Sequence, residues 1–290
     1  ALHQPQPALA DALAGIALNP ENGGIHVTLA RAYLALHQLP AALAAVNQAQ
    51  ALIPNSPGPL VLRGEIELSG NDWRAALADQ NAALALVPDD DAALIDRAMA
   101  ELATGDMATA LADANQAASL GSADPRVHLI RGIAAAAAGH SEEALREDNA
   151  LLQASPDDAL GLAARSEVEA RLCQFPAALA DASRAIALTP SASGPYVDRA
   201  FTELQMRDFP AALADAQKAA QLNPRDAAAF TDKSLAEAAL ERPDAALADA
   251  NQAVTLDPGN AVGFDARASA ALQKNDLTAA LADESHAISL

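Results

Sequence analysis

The sequence predicts an all-α fold built as a linear stack of helical hairpins, and three observations carry that prediction. An Ala-Leu pair recurs at a fixed step of 34 residues: Ala42-Leu43, Ala76-Leu77, Ala110-Leu111, Ala144-Leu145, Ala178-Leu179, Ala212-Leu213, Ala246-Leu247 and Ala280-Leu281. A proline keeps the same step at Pro20, Pro54, Pro88, Pro156, Pro190, Pro224 and Pro258, with Ser122 as the exception. Aromatic residues make up only 3% while alanine fills many apolar positions, which suits short helices in close approach. A period of this length marks units that bury their apolar faces only against neighbours, so they build a solenoid.

Residues 193–226 serve to justify the elements in order. From Pro195 to about Met206, Tyr196, Ala200, Phe201 and Leu204 recur at helical spacing, with proline where a first turn tolerates it. Asp208 then reads as the N-cap of a second helix that runs to Leu222 and is stopped by Asn223-Pro224. Corresponding caps fall at Asp72, Asp106 and Asp276. The acidic runs Asp89-Asp90-Asp91 and Asp157-Asp158 lack the glycine and distal glutamate of a calcium loop and read as helix caps. Residues 1–22 match only a second helix. The chain therefore divides into a half repeat, 1–22, and eight units, 23–56, 57–90, 91–124, 125–158, 159–192, 193–226, 227–260 and 261–290, in one continuous solenoid domain. Asp11 falls in an acidic column whose basic partner would precede residue 1, and no polar capping helix follows Leu290, so the expectation is a fragment or a chain whose ends are covered.

Composition removes several function classes. A net charge of −20 with no basic stripe argues against nucleic acid. Cys173 is alone, which excludes an internal disulfide and a thiol-rich metal site; it reads as a small helix-end residue. No apolar run approaches the roughly 20 residues of a membrane span. There is no Gly-rich phosphate loop, nucleophile elbow or His-Glu-x-x-His pair, so the chain reads as non-enzymatic, with no cofactor and no metal. His26 and His128 occupy a large-residue packing column, and Trp73 reads as filling a gap between repeats. The Ala1 start leans towards export to a bacterial periplasm and leaves a cytoplasmic location open; alanine-rich, lysine-poor usage fits a GC-rich genome.

The first full unit carries His26, Leu29, Ala30 and Tyr33, then Ala42, Val46, Ala49 and Pro54. Later units keep the small residue after the Leu position (Gly64, Ala98, Gly132, Ser166, Ala200, Ser234, Ala268) and the alanine of the second helix. In these positions the chain resembles a tetratricopeptide-repeat array. It departs from the family where arginine or lysine replaces Leu, where glutamate often replaces Tyr, and where the second-helix aromatic is usually alanine. The resemblance implies a right-handed superhelix whose concave face, lined by the first helices, holds a partner segment. Some members grip a chaperone's terminal carboxylate with lysine, asparagine and arginine; here Arg31, Arg126 and Arg171 lie on separate units, and that clamp is not expected.

A charged ladder accompanies the repeat. Arg63, Arg97, Arg131, Arg165, Arg199, Lys233 and Arg267 are followed sixteen residues later by Asp79, Asp113, Glu147, Asp181, Asp215, Asp249 and Asp283. In the first unit Leu29 and Ala45 replace both members, so the positions change together and contact across the hairpin is expected. Glu67, Glu101, Glu169, Glu203 and Glu237 add a carboxylate four residues after the base. Identical charges in every unit indicate structure rather than one reaction centre.

The partner-binding candidates are Val61, Leu62, Ile95, Met99, Leu129, Ile130, Ile133, Val197, Phe201 and Leu235, bordered by Glu65, Asp96, Glu167, Asp198, Asp232 and Asp265. They form either a groove for an apolar segment with basic flanks or the packing seam between first helices. The function that follows is a protein–protein interaction scaffold. The alternatives are the recruiting or regulatory region of a larger enzyme, such as a glycosyltransferase or protease, and a structural subunit of a multiprotein assembly, with end-to-end self-association among the expected contacts.

Overall fold

The structure, a computed structural model, describes residues 4–290. Its helices are α1 (Pro5–Leu18), α2 (Gly23–Ala35), α3 (Leu39–Leu52), α4 (Pro57–Ser69), α5 (Trp73–Leu86), α6 (Asp91–Thr104), α7 (Met107–Ser119), α8 (Arg126–Ala137), α9 (Ser141–Ala154), α10 (Ala159–Arg171), α11 (Phe175–Leu188), α12 (Gly194–Gln205), α13 (Phe209–Leu222), α14 (Ala227–Ala239), α15 (Pro243–Leu256), α16 (Ala261–Gln273) and α17 (Leu277–Ser289). Among the described residues there is no strand. The fold is the expected all-α helical repeat, with even-numbered helices as first helices and odd-numbered helices as second helices.

The start of each element is set by its cap. Asp72, Asp106, Asp208 and Asp276 accept the backbone N–H of Ala75, Thr109, Ala211 and Ala279, satisfying donors that a helix leaves open at its start. Asp90 and Asp158 do the same for Ala93 and Gly161, so these acidic runs begin α6 and α10. Where Ser122 replaces the periodic proline, α7 ends through Gly121 at φ 86° instead, and the Ser122 N–H reaches back to the Ala117 carbonyl at 3.1 Å.

First helices end by a different device. His37, Asn71, Gly105, Gly139, Cys173, Arg207, Glu241 and Asn275, again 34 apart, all adopt the left-handed conformation, with φ from 55° to 88°. The following N–H bonds the carbonyl five residues back, as Asp72 does to Glu67 and Asp106 to Glu101, and the chain reverses into the second helix. Only two of these positions hold glycine, so the others bear a conformational cost. Cys173→Gly is expected to raise stability by about 0.5–1 kcal/mol in urea denaturation. No gain would show that the exposed thiol side chain makes a compensating contact.

By contacts the helices group into two compact units, residues 1–134 and 135–290. In unit 1, α2 packs against α4 and α4 against α6; in unit 2, α10, α12, α14 and α16 pack in series. No two successive second helices of either unit approach one another among the described residues. Within each unit the first helices thus converge and the second helices fan apart, which makes the first-helix side the inner side of the curve. The core is largely alanine: Ala42, Ala76, Ala110, Ala144, Ala178, Ala212 and Ala246 are fully buried, so hairpins close tightly.

No helix of the described residues is long and apolar enough to cross a membrane.

Candidate functional site: the first-helix face and its charged ladder

The ladder is built of bidentate ion pairs. Arg97 on α6 donates through Nε and Nη2 to both oxygens of Asp113 on α7, at 2.6 and 2.8 Å. Arg63–Asp79, Arg165–Asp181, Arg199–Asp215 and Arg267–Asp283 repeat this fork, while Lys233 reaches Asp249 through Nζ at 2.9 Å. The arginines keep about a quarter of their side-chain surface in water and the aspartates about a tenth. Arg131 donates through Nε to Asn115 at 2.9 Å.

Each fork has a third arm. The remaining Nη1 of Arg63, Arg97, Arg165 and Arg267 donates to Asn47, Asn81, Asn149 and Asn251, sixteen residues earlier, and that of Arg199 to Ser183. One guanidinium thus ties its own hairpin together and ties it to the hairpin before.

The glutamates play a lesser part than expected. Glu101 and Glu169 lie 3.8 Å from Arg97 and Arg165, beyond hydrogen-bond range. The Oε2 atoms of Glu67, Glu101, Glu169, Glu203 and Glu237 are buried without a hydrogen-bond partner among the described residues. With the arginine committed to aspartate, burial followed by the neighbouring aspartate pushes the Glu101, Glu169 and Glu203 carboxyls up to about 7.

The first-helix face holds the predicted partner residues in two layers. Leu62, Ile95, Leu129 and Ile130 are buried at 1%, 0%, 2% and 0% exposure. Leu62 packs with Leu29, Ala30 and Val46, and Ile95 and Ile130 share a cluster with Leu94 and Ala98. These four side chains are packed into the interior and offer little surface to a partner. Val61, Met99, Ile133, Val197, Phe201 and Leu235 are half-buried and keep surface available.

Two of the three basic candidates are consumed internally. Arg171 pairs with Glu167 at 2.6 Å. Arg126 donates to Asp96 at 2.6 Å and to both oxygens of Asp124. Asp96 is 3% exposed; burial, opposed by Arg126, holds its carboxyl at about 6. Gln80 also reaches Asp96 and the Val61 carbonyl, occupying space that Gly64 leaves open.

The sequence model of the tetratricopeptide-repeat family matches residues 61–125 and 197–261, in the register of the helix pairs just described. Those helix pairs are tetratricopeptide repeats. No curated protein matches it significantly. Among solved structures, a chain of the APC/C hetero-tetramer Cut9–Hcn1 superposes on 90% of this one with a TM-score of 0.74 at 16% identity; this chain spans about half (52%) of that chain's length. A tetratricopeptide-repeat protein from Parabacteroides merdae matches 80% of this chain and 92% of its own, with a TM-score of 0.57 at 18% identity. A thermophilic protein of this repeat type from Thermus thermophilus, TTC0263, matches 57% and 90%, with a TM-score of 0.53 at 24% identity. At these identities the likeness is one of fold.

Within the array the histidine column packs as expected for His26, which is 9% exposed with Nε2 2.9 Å from the Pro20 carbonyl. Tyr196, in the same column, makes the equivalent contact to Pro190. Trp73 is half-buried at the start of α5. Among the described residues no three His, Cys, Asp or Glu side chains converge as metal ligands.

Proposed function

We propose that this array is a non-enzymatic scaffold that holds a segment of a partner protein on its first-helix face. The observation that carries the reading is the chemistry of that face in unit 2. Val197, Phe201 and Leu235 remain half-buried beside Asp198 and Asp232, two carboxylates that no side chain among the described residues pairs. An apolar strip with unpartnered carboxyl groups at its edge, which ionise readily only beside a cation, is incomplete as a core and complementary to an apolar segment with basic flanks. Tetratricopeptide arrays are interaction folds whose inner curve offers an extended surface, and the likeness to a subunit of a multiprotein complex agrees with that use.

Site-directed photocrosslinking in the native source tests this. A benzophenone side chain placed at Phe201 or Leu235 is expected to yield a discrete adduct, and one at the exposed Lys218 of α13 is not. Adducts only from Lys218 would move the binding surface to the second helices and end the proposal.

A further inference from the structure

Unit 1 contains a filled site whose counterpart in unit 2 is empty of its central residue. In unit 1, Asp96 on α6 and Asp124 before α8 together hold the Arg126 guanidinium, with contacts of 2.6 to 3.1 Å. Three repeats later, at a displacement of 102 residues, Asp96 corresponds to Asp198, Asp124 to Asp226 and Arg126 to Ala228. Both carboxylates are retained and the arginine is gone. The next repeat adds Asp232, in the column of Asp198, where the position of the arginine is Val262.

These carboxylates are not idle surface charges. Asp232 is 7% exposed and its Oδ2 is buried without any hydrogen-bond partner. No hydrogen bond or ion pair from the described residues reaches the Asp198 side chain either, whereas Asp226 caps α14 at Ala229 and accepts from Ser193 at 2.9 Å. Burial, with Asp226 adding to it, pushes the Asp232 carboxyl up to about 8. Burial together with Glu167, Asp232 and Asp226 raises Asp198 well above the ordinary range. A buried carboxyl with no donor is costly unless something supplies one.

We infer that Asp198, Asp226 and Asp232 form a seat for a lysine or arginine side chain of a bound polypeptide, entering the place that Arg126 fills from within the chain in unit 1. The inference rests on the scaffold reading and names the contact that gives it specificity. The adjoining Val197, Phe201 and Leu235 would receive apolar residues next to the basic one, so the motif recognised is a single cation with apolar neighbours. A long basic tract is disfavoured by the few unpaired acids available.

Two measurements on the full chain decide it. Ala228→Arg restores the unit 1 arrangement and is expected to raise the melting temperature by a few degrees. An unchanged or lowered value means that the seat does not accept a guanidinium, and the inference falls. A phage-displayed random dodecapeptide library panned on the wild-type chain is expected to enrich one lysine or arginine flanked by apolar residues. Affinity of those peptides should drop at least tenfold on Asp198→Asn/Asp232→Asn and on Ala228→Arg. Because the double variant still carries a large negative charge, basic peptides that bind it equally well report bulk attraction and overturn the seat, as does a wild-type selection without a basic consensus. A partner crosslinked through Phe201 and indifferent to Asp198→Asn/Asp232→Asn would leave the scaffold reading standing and remove the seat.

Discussion

Arg97→Ala is expected to destabilise unit 1 by about 3–5 kcal/mol, while the triple change Arg97→Leu/Glu101→Tyr/Asp113→Ala stays within about 1 kcal/mol of the parent. The single change strands Asp113, which is 6% exposed and receives both of its ladder bonds from Arg97, and it also removes the donor to Asn81 on the preceding hairpin. The triple change installs a solution that the chain already uses. Leu29, Tyr33 and Ala45 stand at these three positions in the first full repeat, where Leu29 and Ala45 are 7% and 6% exposed and all three join one apolar cluster. Burying matched apolar groups in place of an ion pair is often neutral, whereas removing one partner is not. Arg97→Lys should fall between, at about 1 kcal/mol, because an ammonium keeps one bond to the aspartate, as Lys233 does, and loses the fork. Urea denaturation of the three variants measures the ordering. Equal losses for Arg97→Ala and the triple change would mean that the ladder does not act as a coupled unit.

The ladder also shows what the sequence makes legible and where it stops. The base and the acid sixteen residues on change together in the first repeat, so contact between α4 and α5, α6 and α7, and their successors could be read from spacing alone. The asparagines at 47, 81, 115, 149 and 251 keep the same step and were equally visible in principle. An uncharged amide gives no sign of pairing until geometry puts it on the third arm of a guanidinium. The left-handed column is harder to see, since His37, Asn71, Gly105, Cys173, Arg207 and Glu241 share a backbone conformation and no chemistry. On the binding face, helical spacing placed Leu62, Ile95, Leu129 and Ile130 beside Val61, Met99 and Phe201. Which of them a neighbouring first helix covers depends on how the hairpins converge, and a single helix's pattern does not carry that. Asp96 and Asp198 read alike as border acids, and only the arginine thirty residues on, present for one and replaced by Ala228 for the other, separates a satisfied site from an open one.

Acidification from pH 8.5 to about 5.5 is expected to stabilise the protein, against the common loss of stability on the acid side. Burial, reinforced by the adjacent ladder aspartate, holds Glu67, Glu101, Glu169, Glu203 and Glu237 at about 7, where an ordinary glutamate lies at 4.5. Burial alone leads the shift of Asp148, also to about 7; it is fully buried on α9 with both oxygens unpartnered. Asp232, at about 8, adds to the same set. A carboxyl whose pKa is higher folded than unfolded binds its proton more tightly in the folded chain, so protonation favours folding. The resulting stabilisation is complete below the unfolded value near 4.5 and is lost as pH rises through about 7 to 8. Asp124 works in the opposite sense: its carboxyl is held below 3.8 against burial by hydrogen bonds from Arg126, so its contribution disappears only at still lower pH. Each pKa unit corresponds to about 1.4 kcal/mol. Even about 1 kcal/mol for each raised carboxyl gives a rise in melting temperature on the order of 10 °C between pH 8.5 and 5.5. Replacing all five ladder glutamates by glutamine supplies a neutral side chain at every pH; it should raise the melting temperature at pH 8.5 and flatten most of the slope. A melting temperature that falls steadily on acidification, or a slope untouched by those glutamines, would show that these carboxyls stay ionised in the fold and that the arginines serve both acids at once.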